Sequence, residues 1–506
     1  MDIPPKGRCS LNTRLERGAG ILLPIGSLPS KYGIGSLGAE AFRFADFLCD
    51  AGQTYWQVLP VGPTGYGDSP YQSFSAFAGN PYFIDLELLA QQGLLTRNEL
   101  AAAELPAEVI PYEQLYHTRF AVLRKAAERF EDTAEFCEFC RREAAWLDDY
   151  ALYMSLKAQH GEREWMLWEK PLRQREAQAL AQSRTALSAE IRFWQCCQYW
   201  FFCQWTALKA YANERGVQLI GDIPIYVAQD SADVWAHPDL FELDEEGYPT
   251  RVAGVPPDYF SEDGQLWGNP LYRYDRMAQD GYAWWRSRMA ACARLYDVVR
   301  IDHFIGMARY FAIPASCKTA KGGSWQKGPG KALTDALDSA RGETRILAED
   351  LGVLHPTVRR LLGRTGYPGM KVLLFAFESG PDNEYLPHHY EKNCVVYGGT
   401  HDNETAVGFG RRLRGESRRF LMEYLHIRRR SDLPRALLRA AYGSVADVAV
   451  FQMQDILQLD DSARMNTPST LGGNWQWRLL SEQLTEALST ELRQLVRLYG
   501  RERNSK

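Results

Sequence analysis

The chain has 506 residues, 45% of them hydrophobic and 24% charged, with a formal net charge of −5. Its pI is near 6.1 and its mean hydropathy −0.36. This is a globular composition, and the negative balance argues against a nucleic-acid or anionic-membrane partner, since phosphate binding needs a basic footprint. No apolar run approaches the roughly 20 residues that cross a bilayer. No apolar signal core follows Met1-Asp2-Ile3-Pro4-Pro5-Lys6-Gly7, so the expected compartment is the cytoplasm.

Length alone fits three average domains or one large barrel with insertions. Read in chain order, eight short apolar runs are each followed by a helical pattern. They are Ile21 to Pro24, Tyr55 to Val58, Gln218 to Asp222, Val298 to Asp302, Ile346 to Ala348, Met370 to Phe375, Cys394 to Tyr397 and Val448 to Gln452. Eight such units predict an α/β protein, a closed (β/α)₈ TIM barrel with inserted, largely helical subdomains. Its first part is residues 1–84. A block rich in Ala, Glu, Leu and Arg follows at 85–200, including the helical runs Arg119 to Phe130 and Phe136 to Ala158. The barrel continues at 201–229, where Gly216 ends a helix just before the third strand. A second insertion at 230–285 carries turn residues and aromatics in place of helical spacing, and 286–506 completes the barrel.

Two literal motifs come to little. Gly33-Ile34-Gly35-Ser36-Leu37-Gly38 matches the dinucleotide fingerprint, but seven residues separate it from the strand-side turn and the second strand ends without an acid. Cys137 and Cys140 form a Cys-x-x-Cys, yet no second pair accompanies them and the surroundings read as helix. The ten cysteines are expected to be thiols, most of them small hydrophobes among apolar neighbours.

The chemistry gathers at three strand ends. Asp302, Glu349 and Asp402 each sit at or just past the carboxyl end of a run, where barrel enzymes keep their active sites. Arg300 and Asp302 are two apart on a strand and share a face, and the guanidinium favours an ionised, nucleophilic carboxylate. Glu349 beside Leu347 and Ala348 suits a general acid of raised pKa, whereas Asp350 faces the other way and reads as a helix cap. Carboxyls about 5 to 5.5 Å apart match retaining glycoside chemistry, and neighbouring strands are about 4.8 Å apart. Loops rich in Gly and Pro add aromatics and hydrogen-bonding groups suited to a sugar groove: Tyr66, Ser69 and Tyr71 after the second strand, and Tyr259, Phe260, Gln265, Trp267 and Asn269 in the second insertion. Three other readings use the same residues: a glucan hydrolase, a non-catalytic glucan-binding scaffold, and a divalent-metal barrel enzyme, which lacks a lysine or histidine base opposite the acids.

These residues carry a family resemblance. Gly65 to Pro81, Asp222 to Val227, Gly254 to Leu271, Arg300 to Pro314, Gly328 to Gly330, Ala348 to Gly352, Gly399 to Thr405 and Asn466 to Trp477 resemble strings of the bacterial amylomaltases, the 4-α-glucanotransferases of the α-amylase superfamily. The resemblance runs from about Gly18 to Arg478. It implies transfer of α-1,4-glucan segments between maltooligosaccharides, with glucose or another glucan as acceptor and with no metal or cofactor. It implies Asp302 as nucleophile, Glu349 as acid/base and Asp402 as stabiliser of the distorted sugar. Arg300 and His401 would line the donor subsite with Asp222 in support, and Tyr71 would be an active-site tyrosine. The Tyr259 to Trp267 loop would overhang the acceptor groove, and Tyr66, with Tyr112, would bind glucan outside the cleft.

Overall fold

The structure, a computed structural model, describes residues 13–65, 67–257, 262–352, 354–470 and 472–503. Among them are twelve strands, numbered here in chain order. Eight form one parallel sheet: β1 (Gly18–Leu22), β2 (Tyr55–Gln57), β3 (Gln218–Pro224), β6 (Val298–Asp302), β9 (Arg345–Ala348), β10 (Gly369–Val372), β11 (Cys394–Tyr397) and β12 (Val448–Gln452). The other four are β4 (Arg251–Val255), β5 (Gln265–Pro270), β7 (Arg309–Pro314) and β8 (Ser324–Lys327).

The parallel sheet runs β10-β11-β12-β1-β2-β3-β6-β9. Its two ends meet, because the Ala348 N–H donates to the Pro368 carbonyl at 3.0 Å and closes the barrel. All eight expected strands are present, and their residues are buried almost throughout, as the continuous β-branched runs require of strands covered on both faces. Asp350 differs from its expected role. The following helix, Pro356–Thr365, is capped by His355, whereas Asp350 accepts the Met370 N–H at 2.7 Å across the closing seam. Only glycine fits opposite, since a Cβ on Gly369 would lie 2.5 Å from the Asp350 carboxylate. At the opposite end of the barrel the fully buried Arg501 donates to six carbonyls, among them Gly18 at 2.9 Å and Asp447 at 3.2 Å, and ties β1 to the turn before β12.

The first insertion is helical. Its long helices are Tyr112–Arg129, Ala134–Gln159 and Ser188–Glu214. Thr133 caps the second by accepting the Phe136 N–H. The third runs unbroken across the expected boundary at 200: Trp194, Tyr199 and Phe202 meet rings of Ala134–Gln159, while Tyr211 near its end meets Phe42 and Asp46 of the barrel helix Ala39–Asp50 before the chain enters β3. The Cys-x-x-Cys pair lies within Ala134–Gln159, and all nine described cysteines are free. The glycine motif is a packing device: a Cβ on Gly38 would meet the Asp85 carboxylate at 1.9 Å, so an anion of the protein's own fills the place a phosphate would take.

The second insertion is more regular than its composition implies. β4 and β5 pair with β7 and β8 in an antiparallel sheet ordered β5-β4-β7-β8, so half of it comes from the segment after β6. The alternation that would betray these strands is short and is broken by glycines: β4 and β5 shift register between Val252 and Gly254, and Gly268 has φ +80°. The expected boundary at 285 also falls inside a helix, Ala283–Leu295.

Candidate active site

Strand register builds the site. Asp222 on β3 is the partner of Arg300 on β6, and Ile301 is the partner of Ala348 on β9. Asp302 and Glu349 are therefore the next residues along adjacent strands, both at the carboxyl end of the barrel. Below them, Arg300 is 4% exposed and Asp222 fully buried. One guanidinium nitrogen, Nη1, donates to both Asp222 oxygens at 2.6 and 2.7 Å and lies 2.9 Å from Asp302 Oδ1. Arg300 Nε reaches the Met370 sulfur at 3.3 Å. Burial opposes the arginine's charge, but Asp222 and Asp302 outweigh it and hold its pKa well above the ordinary value. The positive charge is thus fixed beside Asp302, whose side chain remains 31% exposed toward the cleft.

Glu349 is 8% exposed. Its Oε2 accepts the His303 N–H at 2.7 Å and its Oε1 accepts the Leu351 N–H at 2.9 Å. Burial raises its pKa and the neighbouring Asp302 adds to the rise; Arg300 and the two backbone donors pull it back, leaving it at about 7. Two neighbouring carboxyls thus differ in environment: Asp302 is charge-paired and open, Glu349 buried and ready to hold a proton at neutral pH. His303 can aim its N–H at Glu349 because its backbone is left-handed, with φ +53°. Its ring meets the Trp267 ring edge-on at 4.8 Å, and its Nε2 is buried without a hydrogen-bond partner. Burial pushes that imidazole down to about 4 against the pull of Asp302, so it is neutral.

The third acid sits past β11. Asp402 Oδ1 accepts from Asn466 Nδ2 at 2.6 Å and lies 3.4 Å from His401 Nε2. Arg464 holds the Asp402 carbonyl at 2.7 Å and the Asn466 carbonyl at 2.7 Å. His401 stacks on Tyr71 with centroids 4.9 Å apart, and Trp475 tilts against both rings. The Tyr71 hydroxyl donates to Asp222 Oδ2 at 2.8 Å, which links this wall to the Arg300 pair. Burial, with Asp222 next in effect, raises the tyrosine pKa well above its ordinary value and keeps the hydroxyl a donor.

The structure thus brings Tyr71, Asp222, Arg300, Asp302, Glu349, His401 and Asp402 together. Trp267 approaches through His303, with Gln265 Oε1 accepting its indole N–H at 3.0 Å. Asn269 is buried and spans two loops, donating to the Val227 carbonyl at 2.8 Å and accepting from Gln72 Nε2 at 3.3 Å. Ser69 Oγ accepts the Tyr71 N–H at 3.3 Å and shapes the turn that presents the tyrosine. Tyr66, Tyr259 and Phe260 lie outside the described residues. Tyr112 gives its hydroxyl to the Trp475 carbonyl at 3.0 Å. Sequence reasoning missed His303, Arg464, Asn466 and Trp475. The last three were within reach, since they occupy the loop after the eighth barrel strand, at the catalytic end.

Comparison with known proteins agrees with this geometry. The profile of the family described as 4-alpha-glucanotransferase, glycoside hydrolase family 77, matches residues 23–484. The 4-alpha-glucanotransferase of Thermus thermophilus is 49% identical over 495 residues, covering 95% of this chain and 98% of that one. The chloroplastic/amyloplastic 4-alpha-glucanotransferase of Arabidopsis thaliana is 42% identical, covering 96% of this chain and 86% of its own. Among solved structures, the amylomaltase from Streptococcus agalactiae in complex with acarbose superposes with a TM-score of 0.94 at 40% identity, covering 96% of this chain and all of its own. The barrel with its acid-tipped strands and the near full-length similarity place the chain in the 4-alpha-glucanotransferase family, glycoside hydrolase family 77.

Proposed function

We infer that the protein moves α-1,4-glucan segments from a donor maltooligosaccharide to the 4-hydroxyl of glucose or another glucan by double displacement. The observation that carries the assignment of roles is the Asp302/Glu349 pair: adjacent in register, one carboxyl beside a fixed guanidinium, the other buried with a pKa at about 7. Asp302 attacks the anomeric carbon while Glu349 protonates the departing oxygen, leaving a β-linked glycosyl enzyme. Glu349 then takes the proton of an acceptor hydroxyl as that oxygen displaces Asp302, and the α-1,4 bond is restored. Asp402, oriented by Asn466 and His401, binds hydroxyls of the distorted sugar, and Tyr71 with His401 packs the donor wall.

Transfer needs a preference for sugar over water. Water is about 55 M and an acceptor about millimolar, so transfer demands roughly 5 × 10⁴-fold selectivity, about 6 kcal/mol. We assign that selectivity to the second insertion, with Trp267 on β5, through acceptor binding and exclusion of water, and give the Tyr259 to Trp267 segment the same task. The free cysteines suit a reducing compartment, the cytoplasm. No helix among the described residues is long and apolar enough to cross a membrane. Maltotriose distinguishes the readings: a transferase yields glucose and longer oligomers with reducing ends constant, whereas a hydrolase raises the reducing ends. Asp302→Asn should abolish turnover while glucan binding remains.

A further inference from the structure

The loop that carries Asp402, residues 398–405, joins β11 to the helix Ala406–Arg412, and the segment that follows β12 holds it by four side chains. Two of them, Arg464 and Asn466, reach Asp402 itself. The other two are carboxyls that hold the far end of the loop. Asp461 Oδ1 accepts the Thr405 N–H at 2.9 Å and the Thr405 hydroxyl at 3.2 Å. Asp455, on the short helix Met453–Ile456, accepts the next N–H, that of Ala406, at 2.7 Å. Thr405 Oγ1 in turn accepts the Gly408 N–H at 3.1 Å and caps the helix. The two segments meet without spare room: a Cβ on Gly408 would lie 2.0 Å from both Asp461 oxygens, and one on Gly399 would lie 3.2 Å from Gln452 Nε2.

Asp455 is a costly way to hold a turn. It is 4% exposed, and its Oδ2 is buried with no hydrogen-bond partner among the described residues. Burial, opposed by the Ala406 N–H and aided by Asp461, pushes the carboxyl up to about 7. What its hydrogen bond controls accounts for its place. Within the loop, Asn403 Oδ1 accepts the Thr400 N–H at 2.8 Å and the Thr400 hydroxyl at 3.0 Å, while the Asn403 N–H donates to the Thr400 carbonyl at 3.1 Å. A turn closed on itself in this way moves as one body. With β11 fixing its entry, the anchors on Thr405 and Ala406 set where the Asp402 carboxylate lies. A displacement of that carboxylate is felt where the sugar is distorted, in the transition state, more than in the bound ground state.

We propose, on the glucanotransferase reading above, that Asp455 and Asp461 are positioning residues for the reaction: by holding the N–H groups of Ala406 and Thr405 they fix the Asp402 carboxylate against the distorted sugar, and they act through Asp402 alone. The test uses the full chain with Asp455→Ala, Asp461→Ala, the two corresponding asparagine variants, and Asp461→Ala combined with Asp402→Asn. Asp461 is exposed, so its variants decide the matter even where Asp455→Ala fails to fold. Maltotriose disproportionation supplies kcat and KM. Maltosyl fluoride, whose leaving group needs no proton, supplies a rate measurable in the weak Asp402→Asn background. Each alanine variant should lower kcat by about 10- to 100-fold and leave KM within about threefold. Each asparagine variant keeps an oxygen for its N–H and should recover most of that loss. With the fluoride in the Asp402→Asn background, Asp461→Ala should cost less than about threefold, because residues that act as a unit are not additive. A kcat within about threefold of wild type in either folded alanine variant overturns the proposal, as does asparagine that recovers nothing. A loss in the Asp402→Asn background as large as in wild type also overturns it and marks a merely structural role. Absence of maltotriose turnover in wild-type protein refutes the glucanotransferase reading and the positioning role with it, whereas wild-type turnover matched by the alanine variants refutes the positioning role alone.

Discussion

If burial beside Asp302 holds Glu349 at about 7, the pH dependence of the first chemical step is set by that one proton. At pH 7 about half the molecules carry it, against roughly 0.3% for a carboxyl at its ordinary value, a gain of about 150-fold in the protonated form. Glycosylation of the enzyme by maltotriose, followed in a single turnover, should be flat below pH 6 and fall about tenfold per unit above 7.5. A maltosyl fluoride donor, whose leaving group needs no proton, should lose that alkaline limb, and Glu349→Gln should accept it while stalling at the second step. The same shift has a stability consequence. A carboxyl whose folded pKa lies above its unfolded value binds more protons when folded, so its contribution is full below the unfolded pKa of 4.5 and is lost as pH rises through about 7. Keeping Glu349 ionised and buried at pH 8 therefore costs on the order of 3 kcal/mol. Glu349→Gln should raise the melting temperature at pH 8 and leave it nearly unchanged at pH 4. An alkaline limb centred below pH 5.5, or one that persists with the fluoride, would refute this account of the acid.

Asp222→Asn removes the charge that both carboxylate oxygens present to Arg300 Nη1 and leaves Asp302 as its one close carboxylate; kcat should drop by about 10² to 10³ with circular dichroism unchanged, and an effect below tenfold would separate Asp222 from catalysis. His303→Gly keeps access to φ +53° and so keeps the N–H on Glu349, whereas His303→Val strains it. The valine variant alone should move the alkaline limb upward, because a lost donor to the carboxylate disfavours its ionised form. Trp267→Ala should raise the ratio of reducing ends formed to glucose transferred by roughly tenfold, read on maltotriose, and an unchanged ratio would detach β5 from water exclusion.

The barrel was legible because its strands are buried on both faces: Val298-Val299-Arg300-Ile301 and Cys394-Val395-Val396-Tyr397 read as apolar runs whatever surrounds them. The second sheet was not, because β4 is a short strand interrupted by Gly254, β5 is partly exposed and interrupted by Gly268, and both are completed by strands that arrive only after β6. The helix Ser188–Glu214 was legible as a helix but not as a shared one, since its two halves answer to different packing partners. At the site, a residue at a strand end announces itself by position, as Asp302 and Glu349 do. Asn466 and Trp475 enter by tertiary contact, 64 positions from Asp402 in the first case. His303 was overlooked for a different reason. Its contribution is made by backbone conformation, a φ that side-chain chemistry does not advertise.

That histidine also joins the two halves of the reaction. The acids stand at or past the ends of barrel strands and are assigned cleavage; the sheet bearing Trp267 belongs in part to the insertion and is assigned the choice between acceptor and water. His303 touches both, donating its N–H to Glu349 at 2.7 Å while its ring packs against Trp267 at 4.8 Å. These two contacts are the shortest described route by which a displacement of the Trp267 indole would reach Glu349. If the acceptor binds against β5 as proposed, its binding and the protonation state of Glu349 should be coupled through these two contacts. The pH dependence of the second step should therefore change with the length of the acceptor, while that of the first step should not.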